Sequence, residues 1–250
     1  ESNRIILGSV SDQIFELVCK LFLNKGDEVV VSEHSFIIYR IYSRMCGADV
    51  RYAKEENFKP SVQSILDCVN RKTKIVFLAN PNNPTGSYIS AKEMTRLRAG
   101  LRDTTLLVID SANAEYVLKN DYSAGIELVD AGENTVMTRT FSKIYGLASL
   151  RLGWGYCSIS VAEVLNRIRG TFNLSTAAQE AGKAALEDVG HIAASRDHNA
   201  IWLPWLSDKL TNLGLEVMPS AANFILVRFP AGEGRNAKAA MKYFLENGVI

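Results

Sequence analysis

The sequence predicts an α/β fold with a mostly parallel central sheet sandwiched by helices, followed by a partial smaller α+β domain. Short β-rich runs alternate with amphipathic stretches over most of the 250 residues, which is the pattern of strand–helix–strand units. Two of the runs, IVFLA at 75–79 and LLVI at 106–109, are continuously apolar, as in strands that are buried on both faces. Beyond about residue 175 this alternation stops and longer helical stretches begin.

The predicted elements of the first part follow from the period of their apolar residues. In the helical stretches these residues recur at three and four positions, as in Ile14, Leu17, Val18 and Leu21. Strands are predicted at 4–7, 28–32, 49–53, 74–79, 106–110, 135–138 and 152–157. Helices are predicted at 12–23, 36–46, 61–70, 91–101 and 161–168.

The last part of the chain predicts a different arrangement. Helices are expected at 176–186, 191–213 and 237–247, with two strands around a Pro-Ser turn in the stretch 215–229. We therefore predict a large domain at residues 1–190, and a linking helix with part of a small domain at residues 191–250.

Composition excludes several classes of protein. The net charge of +1 and the lack of a basic stripe argue against a nucleic-acid partner. No apolar run approaches the roughly 18 residues that a membrane-spanning helix needs. The four cysteines are scattered and the three histidines lack metal-ligand spacing, so we expect reduced, mostly buried thiols, a cytoplasmic location and no metal. The chain begins without Met and ends in FLENGVI, so we expect a piece of a longer protein.

Polar and unusual residues follow the predicted strands at their carboxyl ends, where ligands collect in open α/β sheets. Because these ends meet at one edge of a parallel sheet, the sequence predicts a site there. The segments are GSVSD (8–12), SEHSF (32–36), NPNNPTG (80–86), DSANAEY (110–116) and TRTFSK (138–143).

Lys143 is the candidate nucleophile. Most lysines are solvated surface residues, but Phe141, Ile144 and other apolar residues flank this one. A desolvated lysine amine can attack a carbonyl and form a Schiff base. Ser142 and Arg151 are suited to hold an anion, because arginine gives fixed, charge-assisted hydrogen bonds to phosphate. A nucleophilic amine beside a phosphate pocket points to pyridoxal phosphate, an aldehyde that carries a phosphate.

Five other residues have a plain structural interpretation and a functional one. Ser11 or Asp12 can cap the helix that they open, and the N-terminus of the same helix can also bind a phosphate. Asp110 is either a turn former or a carboxylate that faces the cofactor's ring nitrogen. Asn83 is either part of a turn, with Asn83–Pro84 a candidate cis bond, or a donor to the ring's 3′ oxygen. Phe36 is either a core aromatic or a residue that stacks on the ring.

In this order the motifs resemble those of the fold-type-I pyridoxal-phosphate-dependent aminotransferases, and among them most of all the histidinol-phosphate aminotransferases. The resemblance covers essentially the whole chain, and RTFSKIYGLASLRLGW at 139–154 is its most specific part. PSAANFILV at 219–227 belongs to it, and RGTFNLS at 169–175 is similar to a further family segment.

The resemblance implies a role for each candidate. Lys143 binds the cofactor covalently and moves the proton at the substrate Cα. The cofactor is bound by Asp110 at the ring nitrogen, Asn83 at the 3′ oxygen and Phe36 on the ring face. Ser142, Arg151 and the backbone at Ser11 and Asp12 hold the phosphate. Asn173 lies near the substrate. The implied reaction passes the amino group of L-histidinol phosphate to 2-oxoglutarate in histidine biosynthesis, in homodimers with active sites at the subunit interface.

The sequence departs from the family pattern at informative positions. Asn113 occupies the place of a tyrosine that donates to the 3′ oxygen, and its amide is too short to replace the phenol. Val10 and Gln13 stand where glycine and glutamate are usual, and Val10 is expected to narrow the approach of the backbone to the phosphate. Two alternatives stay open: an aromatic amino acid aminotransferase or threonine-phosphate decarboxylase with the same cofactor site, and an inactive cofactor-binding paralogue.

Overall fold

The computed structural model describes residues 2–232 and 234–249. Its strands are β1 (Ile5–Gly8), β2 (Glu28–Ser32), β3 (Asp49–Ala53), β4 (Glu55–Glu56), β5 (Lys59–Pro60), β6 (Thr73–Ala79), β7 (Leu106–Asp110), β8 (Thr135–Thr140), β9 (Gly153–Tyr156), β10 (Glu216–Val217) and β11 (Val227–Arg228). Its α-helices are α1 (Val10–Phe22), α2 (Ile37–Met45), α3 (Val62–Cys68), α4 (Ala91–Gly100), α5 (Ile126–Asp130), α6 (Ile159–Ile168), α7 (Thr176–Glu187), α8 (Val189–Asn212) and α9 (Ala237–Glu246).

A seven-stranded sheet forms the centre of the fold, in the order β1-β9-β8-β7-β6-β2-β3. The pairs from β8 to β3 are parallel, whereas β9 runs antiparallel to both β8 and β1. The predicted, mostly parallel sheet is therefore confirmed, with β9 reversed because the segment 141–152 returns the chain directly from the end of β8.

Two hydrophobic cores cover the two faces of the sheet. Successive residues of the central strands alternate between them: Ile75 and Phe77 pack with α1, α2 and α6, whereas Val76 and Leu78 pack with α3 and α4. This two-residue period explains why the strand sequences are continuously apolar. Helices on both faces confirm the predicted α/β sandwich.

The structure also corrects the sequence interpretation in detail. The β4–β5 hairpin was not predicted; its turn residues Asn57 and Phe58 both have positive φ, of 52° and 61°, without a glycine as a signal. Helix α5 was missed because it has only five residues. The two tail strands are confirmed as an antiparallel pair, but each has two residues.

The end of the chain is dominated by α8, which has 24 residues, contains Pro204 and has no fully buried side chain. It begins at Val189, next to the boundary predicted at residue 190, and that division into domains stays a prediction.

No helix among the described residues is long and apolar enough to cross a membrane. Within the same residues no cluster of His, Cys, Asp and Glu could hold a metal. Cys19 and Cys157 are buried, Cys46 and Cys68 are partly exposed, and all four are free thiols.

Candidate active site

The predicted strand ends meet at one cavity of about 170 Å³. Its wall combines residues that follow β1, β2, β6, β7 and β8 with Arg151, which precedes the antiparallel strand β9. The lining residues are Val10, Ser11, Asp12, Phe36, Ala79, Pro81, Asn83, Asp110, Ala112, Asn113, Thr140, Ser142, Lys143 and Arg151. The structure thus brings together all but one of the predicted site residues.

Asp110 is the acid on the inner side of the cavity, at the last position of β7. Its Oδ1 accepts hydrogen bonds from the backbone N–H of Ala112 at 3.2 Å and from the hydroxyl of Thr138 at 3.3 Å. Its Oδ2 accepts one from the hydroxyl of Tyr39 at 2.6 Å. Burial raises the pKa of Asp110 to about 6, against the effect of these donors. The carboxylate is therefore mostly ionised at neutral pH and favours a cationic group beside it.

Tyr39 is a site residue that sequence reasoning missed. It lies in the first turn of α2, three residues after the cavity residue Phe36, and it is fully buried. The signal in the sequence was the spacing of two aromatic residues on one helical face, which by itself indicates only a packed core.

Lys143 lies in the turn that follows β8. The turn is held by a hydrogen bond from the backbone N–H of Gly146 to the carbonyl of Lys143, at 3.0 Å, and Gly146 has a φ of 69°. Phe141 and Ile144 are buried, but Lys143 itself is exposed, so the predicted desolvation of its amine is wrong for this chain alone. The apolar neighbours point into the protein and anchor the turn, and the lysine extends the other way along the cavity wall.

The N-terminus of α1 forms the opposite part of the wall. The alternative in which Ser11 or Asp12 caps this helix is not what the structure shows, because α1 begins at Val10 and no side chain caps it. Its first N–H groups are thus available to an anion. Arg151 faces the same cavity, has a φ of 54° and donates to the carbonyl of Ala148 at 2.7 Å.

Charges of both signs meet at this helix terminus. Burial raises the pKa of Asp12, while the nearby Arg151 and Lys143 oppose that rise.

Val10 adopts a φ of 66°, the left-handed region that a β-branched residue rarely enters. This finding explains why glycine suits the position, and such strain is common at functional sites.

Two buried polar atoms of the cavity have no hydrogen-bond partner among the described residues: Oγ of Ser142 and Oδ1 of Asn113. Buried polar groups are nearly always paired. Two unpaired groups in one cavity wall therefore indicate that a bound polar molecule supplies their hydrogen-bond partners. Asn83 lies in the same wall, after the cis peptide Asn80–Pro81, and the predicted cis bond Asn83–Pro84 is confirmed.

Phe36 combines both interpretations given to it. Its side chain packs against the larger core, and its ring meets Tyr39 edge-on at 5.8 Å between centroids. It also lines the cavity, where its ring can contact a planar molecule.

Asn173 is the predicted site residue that does not join the others. Its amide donates to the carbonyl of Leu7 at 3.0 Å and to Gln13 at 2.9 Å, in a separate depression. Tyr116 likewise lines a different depression, beside α8, so it does not take the place of the missing tyrosine at Asn113.

Comparison with known proteins places this geometry in a family. The model of the family "Aminotransferase class I and II" matches residues 1–250. The chain belongs to the class I and II aminotransferases. A relative from Paramagnetospirillum magneticum, a histidinol-phosphate aminotransferase, is 50% identical over all of this chain and 69% of its own length. A second histidinol-phosphate aminotransferase, from Maricaulis maris, is 47% identical over the same shares of the two chains.

A solved structure supports the assignment of the fold. The histidinol-phosphate aminotransferase of Sinorhizobium meliloti, in complex with pyridoxal 5′-phosphate, superposes with a TM-score of 0.86 at 28% identity, over 90% of this chain and 61% of that one. The fold of this aminotransferase is therefore the fold-type-I sandwich that the sequence predicted.

Proposed function

We propose that this aminotransferase binds pyridoxal phosphate in the Lys143 cavity and transfers the amino group of L-histidinol phosphate to 2-oxoglutarate, giving imidazole acetol phosphate and L-glutamate. The observation that carries the proposal is that Lys143, Asp110 and Arg151 line one cavity. The choice of substrate rests on relatives about half identical to the chain over its full length.

The residues of the cavity fit this cofactor. Its phosphate has the uncapped N-terminus of α1, the Arg151 guanidinium and the unpaired Ser142 hydroxyl as donors. Asp110 would hold the ring nitrogen through its carboxylate, Phe36 would contact the ring face, and Asn83 would donate to the 3′ oxygen. When bound, the cofactor supplies a conjugated ring that accepts the electron pair from the substrate Cα.

The chain's own residues supply the proton transfers and the electrostatics. The Nζ of Lys143 takes the proton from the substrate Cα, and the same nitrogen returns a proton later in the reaction. Asp110 stabilises positive charge on the ring nitrogen, because its carboxylate is mostly ionised at neutral pH. Arg151 and the α1 terminus would hold the phosphate, and this anchoring would fix the orientation of the cofactor relative to Lys143.

We extend the proposal to a homodimer. An apolar patch supports it, formed by Phe172, which is 98% exposed, and by Ile5 and Leu7, which are 38% and 44% exposed and line the same depression. Large exposed apolar patches mark interaction surfaces. Light scattering is expected to give twice the monomer mass, and Phe172→Asp is expected to lower it; a monomer in the unaltered protein would contradict this extension.

Exchange of the substrate Cα proton tests the reaction most cleanly. In deuterated water the cofactor-loaded protein is expected to exchange the Cα proton of L-histidinol phosphate, as seen by NMR, and Lys143→Ala is expected to lose this exchange. A panel of aromatic amino acids and threonine phosphate decides the substrate class. Faster turnover of one of these would contradict the assigned substrate, and no spectral response of the loaded protein to L-glutamate would identify an inactive binder.

A further inference from the structure

Tyr39 is held rigidly beneath the cavity. Its ring stacks on Phe77, with centroids 4.7 Å apart and an interplanar angle of 1°, and meets Phe15 edge-on at 5.2 Å. The side chain is 0% exposed. Aromatic packing on several sides holds the ring in place, so the core positions its hydroxyl.

The hydroxyl of Tyr39 acts as a donor to Asp110. Burial, together with the neighbouring Asp110 carboxylate, raises the pKa of Tyr39 well above its ordinary value, so the hydroxyl keeps its proton. The distance of 2.6 Å to Oδ2 is short, as is typical of a hydrogen bond to a carboxylate. Oδ1 is held separately by Ala112 and Thr138, so each carboxylate oxygen has its own donors.

We propose that Tyr39 is a positioning residue for the reaction: its hydroxyl fixes the rotation of the Asp110 carboxylate and keeps it ionised toward the cationic ring nitrogen of the cofactor. This inference rests on the proposed function, in which Asp110 faces that nitrogen. The same tyrosine supports the cofactor's ring indirectly, since Phe36 rests edge-on against it. Tyr39 thus contacts both the acid of the cavity, Asp110, and its aromatic residue, Phe36.

Other charged and titratable groups surround Asp110 and affect how its ionisation depends on pH. Asp12 of α1 raises the pKa of Asp110, and Thr138 of β8 lowers it as a donor. Tyr122 lies near enough for Asp110 to raise its pKa, and Lys143 and Arg151 line the same cavity. Of the donors to Asp110, Tyr39 makes the shortest hydrogen bond.

The test compares Tyr39→Phe with Tyr42→Phe. Tyr42 is on the same helix and partly buried, and its hydroxyl has no hydrogen bond among the described residues, so it is a matched control. Tyr39→Phe keeps the ring that packs against Phe77. We expect this variant to bind pyridoxal phosphate roughly tenfold more weakly, because a hydrogen bond to a charged group is lost. Tyr42→Phe is expected to bind as the unaltered protein does.

A second readout does not depend on the cofactor. In protein labelled with ¹³C at the aspartate carboxyl, the Asp110 signal, assigned by its loss in Asp110→Asn, is expected to titrate about one pH unit higher in Tyr39→Phe. A double variant then separates positioning from packing. In the Asp110→Asn background, Tyr39→Phe is expected to change the dissociation constant less than twofold.

The outcomes discriminate between the two proposals. Unchanged cofactor affinity and unchanged carboxyl titration in Tyr39→Phe would overturn the positioning role while leaving the proposed function intact. An equal effect in the Asp110→Asn background would also overturn it, since the tyrosine would then act through packing alone. If Asp110→Asn itself binds cofactor normally and remains active, the proposed role of Asp110 fails, and this inference fails with it.

Discussion

Gly153 lies directly against the backbone of Ser11: a Cβ atom at Gly153 would be 2.6 Å from the amide nitrogen of Ser11. Strand β9 therefore supports the first turn of α1 without any side chain between them. The contact sets the position of the helix N-terminus, which is part of the cavity wall. Gly153, which has no side chain, thus determines where the N–H groups at the start of α1 lie, and these groups can bind an anion.

The substitution Gly153→Ala tests this contact. The added methyl group meets backbone atoms of Val10 and Ser11, which cannot rotate away, so α1 must shift. We expect the free energy of unfolding to fall by about 1–3 kcal/mol and the affinity for pyridoxal phosphate to fall as well. Chemical denaturation and cofactor titration measure the two effects. Gly132→Ala is the control, since a Cβ there meets nothing within 4 Å; equal behaviour of the two variants would contradict the role of the contact.

Asp110 gives the cofactor-free protein a characteristic pH dependence. Its pKa is raised from 3.8 to about 6 in the folded chain, so the folded state binds more protons than the unfolded state between these values. The contribution of Asp110 to the free energy of unfolding is therefore greatest below pH 4. It falls by at most about 3 kcal/mol as the pH rises to 6. The difference between the unfolding curves of the unaltered protein and Asp110→Asn isolates this effect from Asp12, whose pKa is also raised by burial. Parallel curves from pH 4 to 7 would rule out a raised pKa at Asp110.

The Ser142 hydroxyl is expected to lower the stability of the cofactor-free protein and to strengthen cofactor binding. Its buried Oγ has no partner among the described residues, and an unpaired buried hydroxyl costs about 1–3 kcal/mol. Ser142→Ala should therefore raise the free energy of unfolding of the cofactor-free protein and, at the same time, weaken cofactor binding several-fold. Denaturation without cofactor and titration with it give the two numbers. Loss of stability together with unchanged affinity would show that the hydroxyl does not serve the phosphate.

Asn113 occupies a place where a phenol would reach further into the cavity. The residue is 2% exposed, and its Oδ1 is unpaired. A tyrosine hydroxyl would stabilise the anionic 3′ oxygen of the cofactor, which the shorter amide cannot do equally. We expect Asn113→Tyr to lower the pH midpoint of the absorbance change of the bound cofactor. Asn113→Ala is the control that shortens the side chain further, and identical titrations of all three proteins would contradict the prediction.

Much of the fold could be predicted because the sheet is buried on both faces. Residues 75–79 of β6 and 106–109 of β7 are continuously apolar, and the polar residues that follow them meet at one edge of the sheet. The cavity was predictable for the same reason. The direction of β9 was not, because the period of apolar residues is identical for parallel and antiparallel strands.

Other features depend on contacts that no local pattern reveals. The hydrogen bond between Tyr39 and Asp110 joins residues 71 positions apart. The exposure of Lys143 depends on which way its turn faces, and its apolar neighbours gave the wrong indication. Asn173 lies outside the cavity because its amide is engaged by Gln13 and the backbone of β1.

We propose that the cofactor is attached covalently to Lys143, and reductive trapping measures this attachment directly. Protein loaded with pyridoxal phosphate is reduced with borohydride, digested and mapped by mass spectrometry, with Lys143→Arg as the control. We expect the phosphopyridoxyl label on the peptide that contains Lys143 and no label at this position in the control. A label on another lysine, such as Lys59 or Lys119 of the neighbouring depression, or an equal label in the control, would contradict it.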